Sequence, residues 1–505
     1  MNAAAATPQS LARLLDGIAA LPRDVAVSDL TQDGRAAQPG GAFLAVRGSV
    51  EHGLKYAPQA VANGALAVLW EPAPLAVVPD LPSEILVAPV PRLREHASTI
   101  ADRFFGAPSA HMAVAGVTGT NGKTTCAYLL AQALERCGRP AAYMGTIGTG
   151  RPGSLIASGL TTGDAITVQR TLASLRTGGA ASVAMEVSSH ALDQARVGAV
   201  RFRTAAFTNL TRDHLDYHGT MESYGAAKAR LFMLPDLKSR VINVDDAFGR
   251  QLVIDPRGRG RVIVTSRGHQ SHTRSAAGFV RAMHVTLSVR GIELEFDSSW
   301  GTGGLVCPLV GDFNVDNLLT VIAVLLDWDL PLEKVLGALA NVHAAPGRME
   351  TFGGTQAPLA VVDYAHTPDA LRKALSAARA HCTGRLAVVF GCGGDRDAGK
   401  RPIMGAIAAE LADDIVITDD NPRTESPQGI ATNIAAGIPA GKPFRIELDR
   451  ARAIRDSLAD ARLDDVVLVA GKGHEDYQIY GSERRPFSDQ KVVAEALAAR
   501  AGGAA

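Results

Sequence analysis

Along this chain, short runs of Val, Ile, Leu and Ala repeatedly give way to polar, glycine-rich turns. Residues 112–115 run into Gly-Val-Thr-Gly-Thr-Asn-Gly-Lys-Thr-Thr, 182–185 into Glu-Val-Ser-Ser-His, and 205–207 into Thr-Asn-Leu-Thr-Arg-Asp-His. Further on, 360–362 lead to Asp-Tyr-Ala-His, 386–390 to Gly-Cys-Gly-Gly-Asp-Arg-Asp, 414–417 to Thr-Asp-Asp-Asn-Pro-Arg, and 466–469 to Ala-Gly-Lys-Gly-His-Glu. Runs of this kind predict parallel strands covered on both faces. Open α/β sheets take their ligands beyond the carboxyl ends of such strands. Two α/β domains in succession, each with a row of polar loops, would form a cleft.

Residues 1–105 differ, mixing apolar runs at 42–46, 65–69 and 85–87 with helical stretches and Pro breaks. From Met112 the strand–loop–helix alternation holds until Ala344-Ala345-Pro346-Gly347, punctuation suited to a hinge. The pattern predicts three domains, 1–105, 106–344 and 345–505. A length of 505 residues agrees with that count at ~150 residues per domain. Apolar residues make up 47% and charged residues 20%, an ordinary globular composition. Lys+Arg (51) balance Asp+Glu (51), so there is no basic footprint for nucleic acid. The longest nearly apolar stretch, 318–326, is far shorter than a membrane helix requires. The N-terminus lacks a basic start followed by an apolar core. Five widely spaced cysteines (126, 137, 307, 382 and 392) suit reduced thiols rather than a disulfide framework or a zinc site. A cytoplasmic enzyme with small ligands is expected, without nucleic acid or membrane insertion, and as a monomer.

The strongest motif is Gly119-Thr120-Asn121-Gly122-Lys123-Thr124-Thr125, directly after a strand and before a helical pattern closed by Gly138. Glycines let backbone N–H groups face phosphate oxygens, and the helix N-terminus adds partial positive charge. Lys123 would reach the β/γ-phosphates and the Thr124 hydroxyl would hold Mg²⁺. The strict G-x4-G-K-S/T pattern has Gly at position 117, where this chain has Val. Downstream, Glu186 and His214 end two predicted strands and are candidate metal ligands; their structural reading stands beside the functional one. Asp213, Asp216 and His218 read as a solvated loop. Arg396 and Asp420-Asn421-Pro422-Arg423 suit bidentate capture of a carboxylate, although Asn-Pro also reads simply as a turn. Glu475, in Gly471-Lys-Gly-His-Glu, is free to grip an ammonium. These residues point to an ATP/Mg²⁺ enzyme with a zwitterionic substrate site, and leave kinase, ATPase and ligase open.

Taken together, GTNGKTT, MEVSSHALDQARV, TNLTRDHLDYHGTMESYGAAK, PGRME, DYAHTPDAL, GCGGDRDAGKRP, DNPR and GKGHEDYQ closely resemble the Mur ligases, in order and over nearly the whole chain. The DNPR run resembles that of the diaminopimelate-adding members rather than the lysine-adding ones. The resemblance implies an α/β fold of three domains. These are a small N-terminal α/β domain for a uridine nucleotide, a central P-loop ATPase domain on a parallel sheet, and a C-terminal Rossmann-like domain for the amino acid. It implies that ATP phosphorylates the D-glutamyl γ-carboxylate of a UDP-muramoyl dipeptide, and that meso-diaminopimelate attacks the acyl phosphate, in peptidoglycan precursor synthesis. The C-terminal domain is expected to rotate inward on binding.

Carried over by resemblance, Gly119–Thr125 form the ATP loop, with Lys123 catalytic. Asn317, Arg348, Asp363 and His366 are further nucleotide contacts. Glu186 and His214 resemble second-metal ligands, with His214 also in a catalytic role. Lys228 matches a lysine carbamylated by CO₂ to N6-carboxylysine, catalytic and metal-holding, although the local pattern alone reads as a solvated helix lysine. Gln32, Gly34, Ser49, Val50, Glu51, Thr161, Thr162, Ser188, Gln194 and Arg196 fall at the UDP-muramoyl dipeptide. Arg396, Asp420, Asn421, Pro422, Arg423, Gly471 and Glu475 fall at diaminopimelate, Arg423 on its distal carboxylate and Glu475 on its distal ammonium. The chain departs from the usual Asp-Ser-Arg signature with Asp33-Gly34-Arg35, from an apolar residue with Gln32, and from an asparagine with Leu160. A folylpolyglutamate-synthetase-like ligase shares the P-loop and the carbamylated lysine but leaves DNPR with GKGHE unexplained. Intact Lys123, Glu186, His214 and Lys228 argue against a non-catalytic ATP-binding regulator.

Overall fold

The computed structural model describes residues 7–48, 51–74, 76–157, 160–268 and 276–502. The chain divides into two compact units. The first takes most residues up to Ile263, apart from Tyr128–Cys137, which belong with the second; the second otherwise runs from Gly278 onward.

The first unit begins with a four-stranded parallel sheet of Asp29–Thr31, Gly41–Ala45, Ala67–Trp70 and Leu86–Pro89. Side chains alternate across it. Leu44 and Leu69 pack with Leu93 and Ile100 on one face, and Phe43 and Val68 with Leu54 and Ala60 on the other. Next comes a larger sheet whose parallel strands lie in the order Ala141–Gly145, Ser182–Glu186, Ala113–Thr118, Phe202–Phe207, Ser239–Asn243. Glu186 is level with Val117, and Phe207 with Thr118, so the turns that follow all leave one edge.

The second unit carries an antiparallel meander, Gly278–Ser288, Gly291–Ser298 and Gly303–Cys307, and then the helix Asn314–Asp327, buried almost throughout. Its C-terminal sheet runs Glu350–Phe352, Leu359–Asp363, Val466–Ala470, Leu386–Phe390, Asp414–Ile417, Arg445–Ile446, parallel except at the first pair. Val361, Val388 and Leu468 pack on one side with the helices Pro368–Arg379 and Lys400–Leu411. Val362, Val389 and Val469 pack on the other with Ile454 and Val493. Strands apolar on both faces are why the sequence shows uninterrupted Val/Ile/Leu runs here. Register puts Asp363, Phe390 and Ala470 level, again collecting the polar turns at one edge. Among the described residues, no helix is long and apolar enough to cross a membrane.

Candidate active site

The glycine-rich loop turns out of Ala113–Thr118 into the helix Lys123–Arg136. Gly119 sits at φ 152°, where a Cβ would lie 1.9 Å from Thr208 Oγ1; only glycine fits. Val117, the departure from the strict phosphate-loop pattern, is a strand residue, 1% exposed and hydrogen-bonded through its carbonyl to Val187 N–H, so no glycine is needed there. The Thr-Asn-Leu-Thr turn braces the loop from the neighbouring strand. Thr208 Oγ1 donates to Asn121 O (2.6 Å), Asn121 N–H to Asn209 Oδ1 (3.0 Å), and Thr211 N–H to Thr120 Oγ1 (2.9 Å). Lys123 Nζ folds back to the carbonyls of Gly119 and Thr120, 2.8 Å from each.

Lys228 Nζ donates to the same Gly119 carbonyl at 2.7 Å. Two lysine Nζ atoms thus converge on one oxygen. Lys228 is 1% exposed, contrary to the solvated lysine that its local pattern suggests. Burial, with the Lys123 charge second, pushes its ammonium down to about 6. Its Nζ also lies 4.4 Å from the centre of the Tyr224 ring.

Glu186 ends the neighbouring strand, 1% exposed. Its carboxylate accepts from Tyr143 O–H, from Thr146 N–H (2.9 Å) and from Thr146 Oγ1 (3.1 Å). Burial, with Glu186 beside it, holds the Tyr143 phenol up. Thr146 and Tyr143 carry no sequence signal for this role; the run Tyr-Met-Gly-Thr reads as an ordinary strand end. The network continues through residues the sequence picked out. Thr146 Oγ1, whose one proton goes to Glu186, accepts from Thr161 O–H (3.0 Å), Thr162 Oγ1 donates to the Glu186 carbonyl (2.9 Å), and Ser188 N–H donates to Thr162 Oγ1 (3.2 Å). Arg196 reaches the Thr162 carbonyl (2.8 Å) and forks onto Gln194 Oε1 (3.0 and 2.7 Å). Gln194 in turn donates to Tyr217 O–H at 3.0 Å.

His214, at φ 52°, lies edge-on to His190 with ring centres 4.9 Å apart, and its Nε2 is 3.5 Å from Asp213 Oδ2. His218, which the sequence reads as part of a solvated loop, is half-buried and joins this group: its Nε2 is 3.0 Å from Ser189 Oγ and its ring 5.2 Å from Tyr224. Among the described residues, no three His, Cys, Asp or Glu side chains are gathered tightly enough to hold a metal. A divalent ion here would need donors of another kind, such as Thr124 and a carbamate on Lys228.

In the N-terminal sheet, Gln32 and Gly34 follow the first strand. A Cβ on Gly34 would meet the Tyr56 carbonyl at 2.8 Å, so a side chain there would press on that backbone. Glu51 is bound by Lys55 Nζ (2.7 Å) and Tyr56 O–H (2.8 Å). Ser49 and Val50 lie outside the described residues.

In the second unit, Asn317 is buried and donates to Asn314 Oδ1 (2.8 Å). Asp363 accepts from Met349 N–H (2.8 Å); burial raises its carboxyl, opposed by that N–H and by the Arg348 charge. The Arg348 guanidinium lies 5.6 Å from the Tyr364 ring centre, and His366 donates through Nδ1 to the Tyr364 carbonyl (2.8 Å). Arg348, Asp363 and His366 therefore form one group around Tyr364.

Three other turns of that sheet edge also meet. Asn421 Nδ2 donates to Glu475 Oε2 (2.9 Å). Lys472, fully buried, donates to Asn421 Oδ1 (3.0 Å), Glu475 Oε2 (3.2 Å) and Asp420 Oδ1 (3.5 Å). Lys472 was not among the residues picked from the sequence, where Gly-Lys-Gly was its one signal. Arg423, at φ 51°, donates to the Gly394 carbonyl (2.7 Å), and it flanks Gly393 together with exposed Arg396. A carboxylate, two guanidinium groups and an amide at one sheet edge can hold a ligand bearing both carboxylate and ammonium groups.

Three family descriptions match the chain: "Mur ligase family, catalytic domain" over 27–104, "Mur ligase middle domain" over 117–325, and "Mur ligase, glutamate ligase domain" over 347–473. A UDP-N-acetylmuramoyl-L-alanyl-D-glutamate–2,6-diaminopimelate ligase of Xanthomonas campestris pv. campestris (strain 8004) is 48% identical over 499 residues, 98% of each chain. The enzyme of that name from Pseudomonas aeruginosa PAO1 is 47% identical over 477 residues, 94% of this chain and 96% of that one. A solved structure of a ligase with this name superposes with a TM-score of 0.75 at 33% identity, covering 98% of this chain and 99% of the other.

Proposed function

The chain belongs to the Mur ligase family, and from that premise we propose that it adds meso-diaminopimelate to the D-glutamyl γ-carboxylate of UDP-N-acetylmuramoyl-L-alanyl-D-glutamate at the expense of ATP. The observation that carries this is 48% identity to diaminopimelate ligases over 98% of both chains. The joined Asp-Asn-Pro-Arg and Gly-Lys-Gly-His-Glu turns support the choice of acceptor. The step belongs to peptidoglycan precursor synthesis in the cytoplasm, and residues 1–105, 106–344 and 345–505 serve the uridine nucleotide, ATP and the amino acid respectively.

A carboxylate resists attack by an amine because it has no leaving group. Transfer of the γ-phosphoryl of ATP to a carboxylate oxygen releases ADP and creates one. The neutral amine then adds to the carbonyl carbon, and the tetrahedral intermediate expels phosphate to leave the amide. Catalysis of this kind is mostly positioning and charge stabilisation. Backbone N–H groups of Gly119–Thr125 cradle the phosphates, and the Lys123 ammonium, already aimed at the loop, balances charge on the phosphoryl group in transfer. By resemblance, Asn317, Arg348, Asp363 and His366 are assigned to the nucleotide as well. Thr124, Glu186, His214 and Lys228 as a carbamate offer oxygen and nitrogen donors to Mg²⁺, which would supply positive charge at that phosphoryl group. Lys228 suits carbamylation because its depressed value near 6 keeps the amine neutral near pH 7, the form that adds CO₂. The resulting anion would set a negative charge beside the Lys123 ammonium.

Arg423 takes the distal carboxylate of diaminopimelate and Glu475 its distal ammonium. Lysine would leave the Arg423 guanidinium without its anion, a larger penalty than a lost contact. Phosphate release across an amine panel tests the proposal. Turnover is expected only with ATP, the UDP-muramoyl dipeptide and meso-diaminopimelate together. Equal turnover with L-lysine would overturn the acceptor assignment.

A further inference from the structure

The two turns assigned to the acceptor hang from strands that are not neighbours. Asp414–Ile417 and Val466–Ala470 are separated in the sheet by Leu386–Phe390. At their tips the Asp420–Arg423 and Gly471–Glu475 turns are tied by Lys472 and Asn421, and Arg423 pairs through its backbone with Ile479 and Gly481, but the strand ends from which the two turns spring are not paired with each other. A buried guanidinium joins them there. Arg450, first residue of the helix Arg450–Asp460, donates through Nη1 to the Asp419 carbonyl (3.2 Å) and through Nη2 to the Ala470 carbonyl (3.0 Å). Each carbonyl immediately precedes one of the two turns.

Arg450 is held by Asp489, which opens the C-terminal helix Asp489–Gly502. The contact is a two-pronged ion pair, Nε to Oδ1 at 2.7 Å and Nη2 to Oδ2 at 2.8 Å, with both side chains fully buried. A buried ion pair is a weak source of stability, since desolvation offsets its attraction and apolar residues of similar volume often pack as well. What an apolar pair could not do is bond two strand-end carbonyls at once. The Asp419 side chain is further pinned by Tyr480 O–H at 2.9 Å, so the backbone entering the Asn-Pro-Arg turn is constrained from both sides.

We propose that Arg450, oriented by Asp489, is a positioning residue for the amine acceptor, setting the separation between Arg423 and Glu475 and with it the discrimination between diaminopimelate and lysine. The inference rests on the acceptor assignment above. Arg450 touches no substrate; it acts through the two main-chain carbonyls.

The test is the paired substitution R450M/D489L, which replaces the ions by apolar groups, with R450K, which keeps the charge on Asp489 but cannot fork onto both carbonyls, as a companion. Initial rates of phosphate release give KM for each of the three substrates, and thermal melting reports folding. R450M/D489L is expected to melt within a few degrees of wild type. KM for meso-diaminopimelate should rise at least tenfold, with KM for ATP and for the UDP-muramoyl dipeptide within twofold, and the preference for diaminopimelate over L-lysine should narrow. R450K should show the same split at smaller size. An unchanged acceptor KM in the folded double variant would overturn the proposal. So would a parallel rise in all three KM values, or loss of folding in both variants, since either outcome makes the pair a general staple. Wild-type enzyme in the same amine panel keeps the two questions apart. If it preferred a different amine, the acceptor assignment would fall, and the positioning role would be judged on the KM for that amine.

Discussion

Replacing Gly119 by Ala tests the loop at the point where two lysines meet. A Cβ there lies 1.9 Å from Thr208 Oγ1 and 3.1 Å from both Asn209 N and Asn209 O, on a residue at φ 152°. A non-glycine residue in this region of backbone space carries about 1–3 kcal/mol of strain, and forcing a methyl into packed surroundings adds about 1–3 kcal/mol. The loop relieves both by moving, but its anchors resist. Thr208 Oγ1 holds the Asn121 carbonyl at 2.6 Å, and the Gly119 carbonyl holds Lys123 at 2.8 Å and Lys228 at 2.7 Å. If about 1.4–2.8 kcal/mol of this reaches ATP binding, the effect is about 10- to 100-fold, at tenfold per ~1.4 kcal/mol. We expect KM for ATP to rise by that factor in phosphate-release assays at saturating dipeptide and diaminopimelate, with KM for diaminopimelate unmoved. G119A/T208A removes the 1.9 Å contact and keeps the φ strain, so it should recover part of the loss. KM for ATP within twofold of wild type in G119A would refute the reasoning.

Three further outcomes follow from the same geometry. Lys228→Met keeps the buried volume and removes the amine a carbamate needs; turnover should fall by about 10²–10³ without a lower melting temperature, and near-wild-type turnover would remove Lys228 from the mechanism. Lys472→Met strands Glu475 and Asp420 beside a lost cation; breaking such a pair costs about 3–5 kcal/mol when fully buried, less here because Glu475 retains some exposure, and Glu475→Gln in the same chain should restore part of the loss in chemical denaturation. His381 accepts Gly311 N–H at Nε2 (3.0 Å) and donates through Nδ1 to the Ser288 carbonyl (2.7 Å), a neutral imidazole whose value burial lowers from 6.5. Its stabilisation should be complete above pH ~6.5, and should decline as pH falls from there toward the lower folded value, because the unfolded chain protonates first. His381→Leu should flatten that slope in melts between pH 5 and 7.5, and parallel slopes would contradict the assignment.

Much of this architecture was legible along the chain because its signals are local. A strand covered on both faces must be apolar at consecutive positions, so the runs ending at Val362, Phe390, Ile417 and Val469 announce a parallel sheet. A loop that approaches phosphate closely needs Gly119 and Gly122 at fixed spacing, so the motif survives as a string of letters. The Asn-Pro-Arg and Gly-Lys-Gly-His-Glu turns were readable in the same way. Burial and partnership were not. Lys228 looks like any lysine on a short helix, and only the packing of Met221–Ala229 against the loop puts its Nζ on the Gly119 carbonyl, where water no longer pays for its charge. Tyr143 and Thr146 find Glu186, Lys472 links two turns, and Arg450 spans two strand ends, through register between segments 40 or more positions apart or through the return of one helix onto the sheet. Hydrophobic period and turn chemistry are properties of neighbours in sequence. The pairing of charges is a property of neighbours in space, set by which strand lies beside which.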